Sequence, residues 1–180
     1  MKRKKPIMQG NEETKIVGKK LILPKRLTWI LNWKYPFYRT PSLDEYSQRI
    51  IDFTKEQNRL PFYLKFDINN DGEEEIMIIQ RSIFGGYGRL LIVSEVNQKF
   101  KFESIRWNRP VNSLYFDYFI DIESPKSYQT FGLMQSKKVT VNFPHIVTKG
   151  YLTRIVYWDG YRYCQERISS LNNSISVQHR

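Results

Sequence analysis

The stretch Asp67-Ile68-Asn69-Asn70-Asp71-Gly72-Glu73-Glu74-Glu75 lies between Phe62-Tyr63-Leu64-Lys65-Phe66 and Ile76-Met77-Ile78-Ile79. Both flanks read as strand, so these nine residues must turn the chain from one to the next. Oxygen-bearing side chains stand at the first, third, fifth and ninth positions, and a glycine at the sixth. That spacing lets a short loop wrap side-chain oxygens and one backbone carbonyl around a hard cation, Ca²⁺ above all. The simpler alternative is a polar hairpin turn at Asn70-Asp71-Gly72. It would crowd the carboxylates of Asp71, Glu73, Glu74 and Glu75 together with nothing to neutralise them.

Outward from the loop, Ile76–Ile79 and Leu90-Leu91-Ile92-Val93 are unbroken apolar runs, the pattern of central strands covered on both faces. Phe84-Gly85-Gly86-Tyr87-Gly88 between them is a turn or bulge signal, and no helix follows it to hold a phosphate. Phe100-Lys101-Phe102-Glu103 alternates and runs towards Trp107, so residues 62–107 read as a four-stranded antiparallel meander.

The second half repeats the pattern more loosely. Residues 114–123 alternate as one long half-buried strand, and 138–143 alternate again. Tyr151–Trp158 and Tyr161–Ile168 are joined by Asp159-Gly160, a strong hairpin signal. One amphipathic helix is expected over 42–60, between Pro41 and Pro61, with Ser42 and Glu45 as a capping box and Glu45 paired with Arg49 at i,i+4. It would cover one face of the sheet, and the aromatic stretch 25–40 part of the other. The expectation is an α+β fold: a mostly antiparallel sheet of about eight strands in two meanders, with that helix packed on it. Residues 1–24 read as a basic flexible arm, 25–168 as a single β-rich domain and 169–180 as a polar tail.

The formal charge of +11 is concentrated at the start. Residues 1–40 hold eleven Lys/Arg against Glu12 and Glu13, or +9, which leaves eighteen basic and sixteen acidic side chains, or +2, for residues 41–180. An anionic partner would therefore be met by Lys2, Arg3, Lys4, Lys5, Lys19, Lys20, Lys25 and Arg26. The basic residues of 25–40 alternate with Trp29, Trp33, Tyr35, Phe37 and Tyr38, as in a single-stranded nucleic-acid groove or a membrane-surface segment. The plainer alternative packs these aromatics onto the body and leaves the charges wet. Leu27–Trp33 is too short to span a bilayer. The polar run after Met1–Lys5 is no export signal, which points to the cytoplasm, or to an extracytoplasmic site if the native start differs. The single cysteine, Cys164, excludes an internal disulfide.

The loop resembles the calcium loops of the FG-GAP and VCBS repeat families, Asp-x-Asp/Asn-x-Asp-Gly-x-x-Asp/Glu running into a strand. The resemblance implies Ca²⁺ held by the side chains of Asp67, Asn69, Asp71 and Glu75 and the backbone carbonyl of Glu73, with Gly72 at the bend. It covers residues 62–95 and little else. Such repeats close β-propellers in series, and 180 residues hold two or three blades at most, so a stand-alone domain with one loop is expected. An EF-hand is excluded, because its twelfth position is Ile78 here and strands replace both helices.

No catalytic motif accompanies the loop. His145 follows Pro144 in an expected turn, and His179 lies in the tail. Asp117, Asp121 and Glu123 share one strand face, either as a solvated face or as the acid/base pair of a hydrolase. Tyr157, Trp158, Tyr161 and Tyr163 on the last hairpin, like Trp29 and Trp33, are either a recognition surface or packing. The favoured expectation is a non-enzymatic calcium-binding module that meets an unidentified protein partner, an immunity or inhibitor protein being one form. Nucleic-acid or anionic-surface binding through the basic aromatic arm is the alternative.

Overall fold

The two apolar runs that flank the loop and its glycine turn become the centre of a five-stranded sheet. The computed structural model describes residues 14–17, 20–85, 88–97, 99–107, 118–131, 136–149 and 153–168. Among them the elements are β1 (Lys15–Val17), β2 (Lys20–Ile22), α1 (Lys25–Lys34), β3 (Tyr38–Arg39), a 3₁₀ turn (Leu43–Glu45), α2 (Gln48–Glu56), β4 (Tyr63–Phe66), β5 (Glu75–Ser82), β6 (Gly88–Val96) and β7 (Lys99–Trp107). There follow β8 (Phe119–Glu123), β9 (Lys126–Phe131), β10 (Ser136–Val141), β11 (His145–Lys149), β12 (Arg154–Trp158) and β13 (Tyr163–Arg167).

In the first sheet β4, β5, β6 and β7 pair antiparallel in series, the expected meander. The long β5 shares its outer edge between β4, opposite Glu75–Ile78, and the two-residue β3, opposite Arg81 and Ser82. A second, four-stranded sheet runs β13-β12-β11-β8, also antiparallel, and β9 with β10 forms a separate hairpin. Among the described residues twelve strands of three or more residues stand where about eight were expected. β9 and β11 are the body strands without a counterpart in the sequence reading. The Asp159-Gly160 hairpin is present between β12 and β13; Gly160 has φ +102°, and Asp159 Oδ1 accepts the N–H groups of Tyr161 and Arg162.

The layers follow from strand alternation. Met77, Ile79, Leu90 and Ile92 face Ile120, Ile146 and Val156 of the second sheet, and α2 seals this core with Ile50 and Ile51. The opposite face of the first sheet, Ile78, Leu91 and Val93, is covered by Leu27 and Leu31 of α1. The outer face of the second sheet, Val147 and Ile155, is covered by Tyr128, Val141 and Ile168. Each apolar run is thus buried on both sides, as its unbroken pattern requires.

Two helix expectations are corrected. Residues 25–40 contain a second helix, α1, whose leucines rather than its aromatics cover the sheet. The single helix over 42–60 is split: the capping box opens only the 3₁₀ turn, and Tyr46 is extended (φ −100°, ψ 150°) before α2 begins. The break lets Tyr46 enter the core against Phe62, with ring centroids 5.8 Å apart. α2 ends at Glu56, and beyond it Asn58 takes φ 53° while Arg59 N–H donates to Thr54 O, a left-handed helix cap.

Glu45 does not pair with Arg49. Its carboxylate accepts Arg39 Nη1 and Nη2 at 2.6 and 2.7 Å, Arg81 Nη1 at 2.6 Å and Ser42 N–H at 2.9 Å. Burial pushes the carboxyl up, but these donors outweigh it and hold the pKa at about 2. A folded pKa below the unfolded one, about 4.3, means a stabilisation fully present above pH ~4.3 and lost as pH falls towards 2. Glu45→Gln is expected to cost about 2 kcal/mol at pH 7, less than the full shift implies because Arg39 is half-exposed. In acid denaturation series the variant should converge with the parent only below pH ~2; a difference that persists there would assign the loss to something other than charge.

Candidate functional site

The loop of residues 67–75 hangs between β4 and β5, and backbone geometry shapes it. Asn70 has φ 57° and Gly72 φ 92°, both left-handed, so the chain doubles back within a few residues. Asp67 Oδ1 and Oδ2 accept the N–H groups of Asp71 and Gly72 at 3.2 and 2.9 Å. Asn69 Oδ1 accepts Asp71 N–H, and Asp71 Oδ1 accepts Glu73 N–H, each at 2.9 Å. Asn69 Nδ2 bridges Asp71 Oδ2 at 2.9 Å and Glu75 Oε1 at 2.8 Å.

Glu75 is the floor of this arrangement, 2% exposed. Its Oε2 accepts Ile68 N–H at 3.1 Å. Burial first, then the nearby Asp71 and Asp67 charges, push its carboxyl above the usual range, against the pull of that N–H. Among the described residues, Asp67, Asp71 and Glu75 form no ion pair with a lysine or arginine; Glu74 does, with Lys65 at 2.8 Å. Tyr163 of β13 joins from the second sheet, where its hydroxyl interacts with Ser94, Asn69 and Glu75 and burial pushes its pKa up to about 12. Four of the five expected ligand residues, Asp67, Asn69, Asp71 and Glu75, are therefore linked by hydrogen bonds, and Glu73 belongs through its backbone. Among the described residues no group of three His, Cys, Asp or Glu side chains is placed to hold a metal ion, and the convergence here runs through the Asn69 amide.

The other expected sites separate. Trp29 and Trp33 lie on α1, 68% and 76% exposed. On the last hairpin, Trp158 packs edge-on against Tyr163 at 4.9 Å and Tyr157 packs with the apolar residues on the outer face of the second sheet, while Tyr161 is 92% exposed. Tyr163 belongs to the loop and Tyr157 to the core, so the hairpin aromatics are mainly packing. Lys20, Lys25 and Arg26 are exposed; Lys2, Arg3, Lys4, Lys5 and Lys19 lie outside the described residues, as do Asp117, His179 and the tail.

The acidic strand face is not solvated at its centre. Asp121 is buried on β8, where Oδ1 accepts Arg59 Nη1 at 2.9 Å and Oδ2 accepts Lys149 Nζ at 2.8 Å. Lys149 also lies 3.5 Å from Glu123 Oε1. Glu123 Oε2 is engaged by Lys126 and by the Tyr128 hydroxyl, which in turn meets His145 Nε2. His145 is not in a turn: it starts β11, fully buried, and its Nδ1–H donates to Phe143 O at 3.1 Å. Burial holds it below the ordinary imidazole range, so it stays neutral at pH 7. These acids and the histidine hold strands together. A cavity of about 370 Å³ lies elsewhere, between α2 and β4, and Leu43, Ile51, Leu60 and Tyr63 line it with no Asp, Glu, His or Cys in its wall. Neither protein-family models, curated protein sequences nor solved structures match this chain.

Proposed function

We propose that the protein is a non-enzymatic calcium-binding module, kin to the FG-GAP and VCBS calcium loops, whose ion fixes the 67–75 loop and with it a surface for a protein partner. One observation carries the reading: the carboxylates of Asp67 and Asp71 and the Asn69 amide gather around the buried Glu75, and among the described residues no basic side chain pairs with these three carboxylates. The donor set suits a hard, oxygen-seeking cation. Backbone N–H groups hold both oxygens of Asp67, Asn69 Oδ1 and Asp71 Oδ1, which keeps these side chains turned into the loop. Binding requires the Asn69 amide to present its oxygen where its N–H₂ now bridges Asp71 and Glu75. Because Tyr163 reaches the same carboxylate from β13, an ion there tightens the contact between the two sheets. The acidic strand face supports a non-enzymatic role, since Asp121 is held by two cations. An immunity or inhibitor protein is one form that such a module takes.

Melting with millimolar CaCl₂ against excess EDTA tests the reading. At a hundredfold excess over Kd the ion adds about 2.7 kcal/mol, an upward shift in Tm of roughly 5–10 °C for a chain of this size. Glu75→Gln keeps the shape and removes the charge, so it should abolish the calcium shift while melting in EDTA no lower than the parent. Identical melting in calcium and EDTA would reduce the loop to a polar turn.

A further inference from the structure

One face of the molecule has no part in the core or the loop: the outer side of α1. At about 100° per residue, Lys25, Trp29, Trp33 and Arg26 fall within one arc of roughly 100°, opposite the anchoring Leu27 and Leu31. A helix held only by its inner stripe would carry polar residues here, yet it shows two indoles, each more than two-thirds exposed. The charge carried by α1 itself has one sign. α1 contains no acidic residue, and residues 1–40 hold +9 of the net +11. Arg26 reaches Glu95 at 3.9 Å and lies over Phe100, a pair exposed on both sides that opens to a competing anion at little cost. The β1–β2 hairpin just before α1 has the same make-up, with Val17 and Ile22 exposed beside Lys20.

We propose that this stripe docks the protein on an anionic lipid surface. α1 lies in the headgroup plane, Trp29 and Trp33 enter the interface, and Lys25 and Arg26 meet lipid phosphates. Indole rings settle at that depth because one end is apolar and the other carries a donor, and basic side chains add attraction to anionic headgroups. A single-stranded nucleic acid fits less well, because it needs a groove in which cations track the phosphates beside stacked bases. This stripe is convex and one helix wide, with its rings in a single line about 6 Å apart along the axis. No helix among the described residues is long and apolar enough to cross a membrane, so the contact is peripheral. No residue of the 67–75 loop takes part, and the proposal stands apart from the calcium reading.

Sedimentation of the full chain with phosphatidylcholine vesicles, with and without about one-third phosphatidylglycerol, tests it, with tryptophan emission as a second readout. Binding is expected only to the anionic vesicles, with a blue shift. Trp29→Ala/Trp33→Ala and Lys25→Glu/Arg26→Glu should each weaken it by about tenfold or more. Melting should be nearly unchanged in the tryptophan variant, since Trp29 and Trp33 face solvent. Equal binding to neutral vesicles, no binding at millimolar lipid, or a tryptophan variant that binds like the parent would each overturn the proposal. Oligothymidylate binding that the same variants lose, with vesicles ignored, would overturn it in favour of nucleic acid.

Discussion

Arg89→Ala is expected to lower stability by about 4 kcal/mol, a fall in Tm of roughly 8–15 °C for a chain of this size. Arg89 is 1% exposed on β6, in the middle of the first sheet. Its guanidinium lies between two rings, 3.7 Å from the centroid of Tyr35 and 3.9 Å from that of Tyr38. Its Nε donates to Gln80 Oε1 at 2.9 Å, and Nη2 reaches the same oxygen. Among the described residues no carboxylate pairs with it. Burial lowers its pKa to about 10, against the pull of the two tyrosines, and it remains charged at pH 7. The cation therefore rests on ring faces and one amide, and it ties the segment after α1 to the sheet.

Truncation to alanine removes both stacks, leaves a cavity and strands Gln80 inside the protein. Arg89→Lys keeps the charge but loses the flat plate and the forked donation, at a cost of about 2–3 kcal/mol. Arg89→Met fills the volume without a charge and leaves only Gln80 unpaired, at about 1–2 kcal/mol. Chemical denaturation of the three variants checks the order Ala, Lys, Met. A lysine variant as stable as the parent would mean that the planar stack contributes nothing.

What the sequence made legible was short-range. The strands beside the loop and the Asp159-Gly160 turn carry their signal within a few residues, where alternation and turn chemistry act. The 3₁₀ turn shows the limit: Ser42 and Glu45 form the capping box as read, yet Tyr46 leaves the helix two residues before α2 because its ring has a place in the core beside Phe62. α1 was hidden for a different reason. Leu27 and Leu31 point inwards and Trp29 and Trp33 outwards, so apolar residues occupy both sides and the helical period is blurred. The sequences of β9 and β11, Lys126–Phe131 and His145–Lys149, mix polar with apolar residues.

The site divides along the same line. Spacing alone singles out Asp67, Asn69, Asp71 and Glu75, and hydrogen bonds link them in the fold, since a loop that closes on itself is a local device. For Tyr163 the sequence leaves surface and packing open, because its place beside Glu75 depends on how one sheet lies against the other, nearly ninety residues later in the chain. Arg89 was missed outright. A basic residue after Gly88 reads as an exposed strand start, and only the return of Tyr35 and Tyr38 over it makes burial tolerable.

Asp121→Ala is expected to cost about 3 kcal/mol, close to the range for breaking a buried ion pair by removing one partner. On sequence grounds Asp121 belonged to a wet acidic face with a possible catalytic use; in the fold it joins three elements. Arg59 comes from the segment after α2, Lys149 from the end of β11, and Asp121 itself sits on β8 with only 7% exposed. Its Oδ1 also accepts the N–H of Ile122 at 2.9 Å, so both oxygens are committed. Removing the carboxylate leaves a guanidinium 32% exposed and an ammonium 21% exposed with one shared partner gone. Lys149 retains Glu123 at 3.5 Å, which keeps the loss below that of a fully stranded charge. Asp121→Asn should be nearly as costly, because its amide N–H₂ points a donor at a cation where an acceptor stood. A double-mutant cycle of Asp121→Ala with Arg59→Met measures the pair directly. A coupling energy of at least about 1 kcal/mol is expected, whereas additive losses would show that Arg59 and Asp121 contribute separately and that the segment after α2 is held to β8 by apolar contact alone.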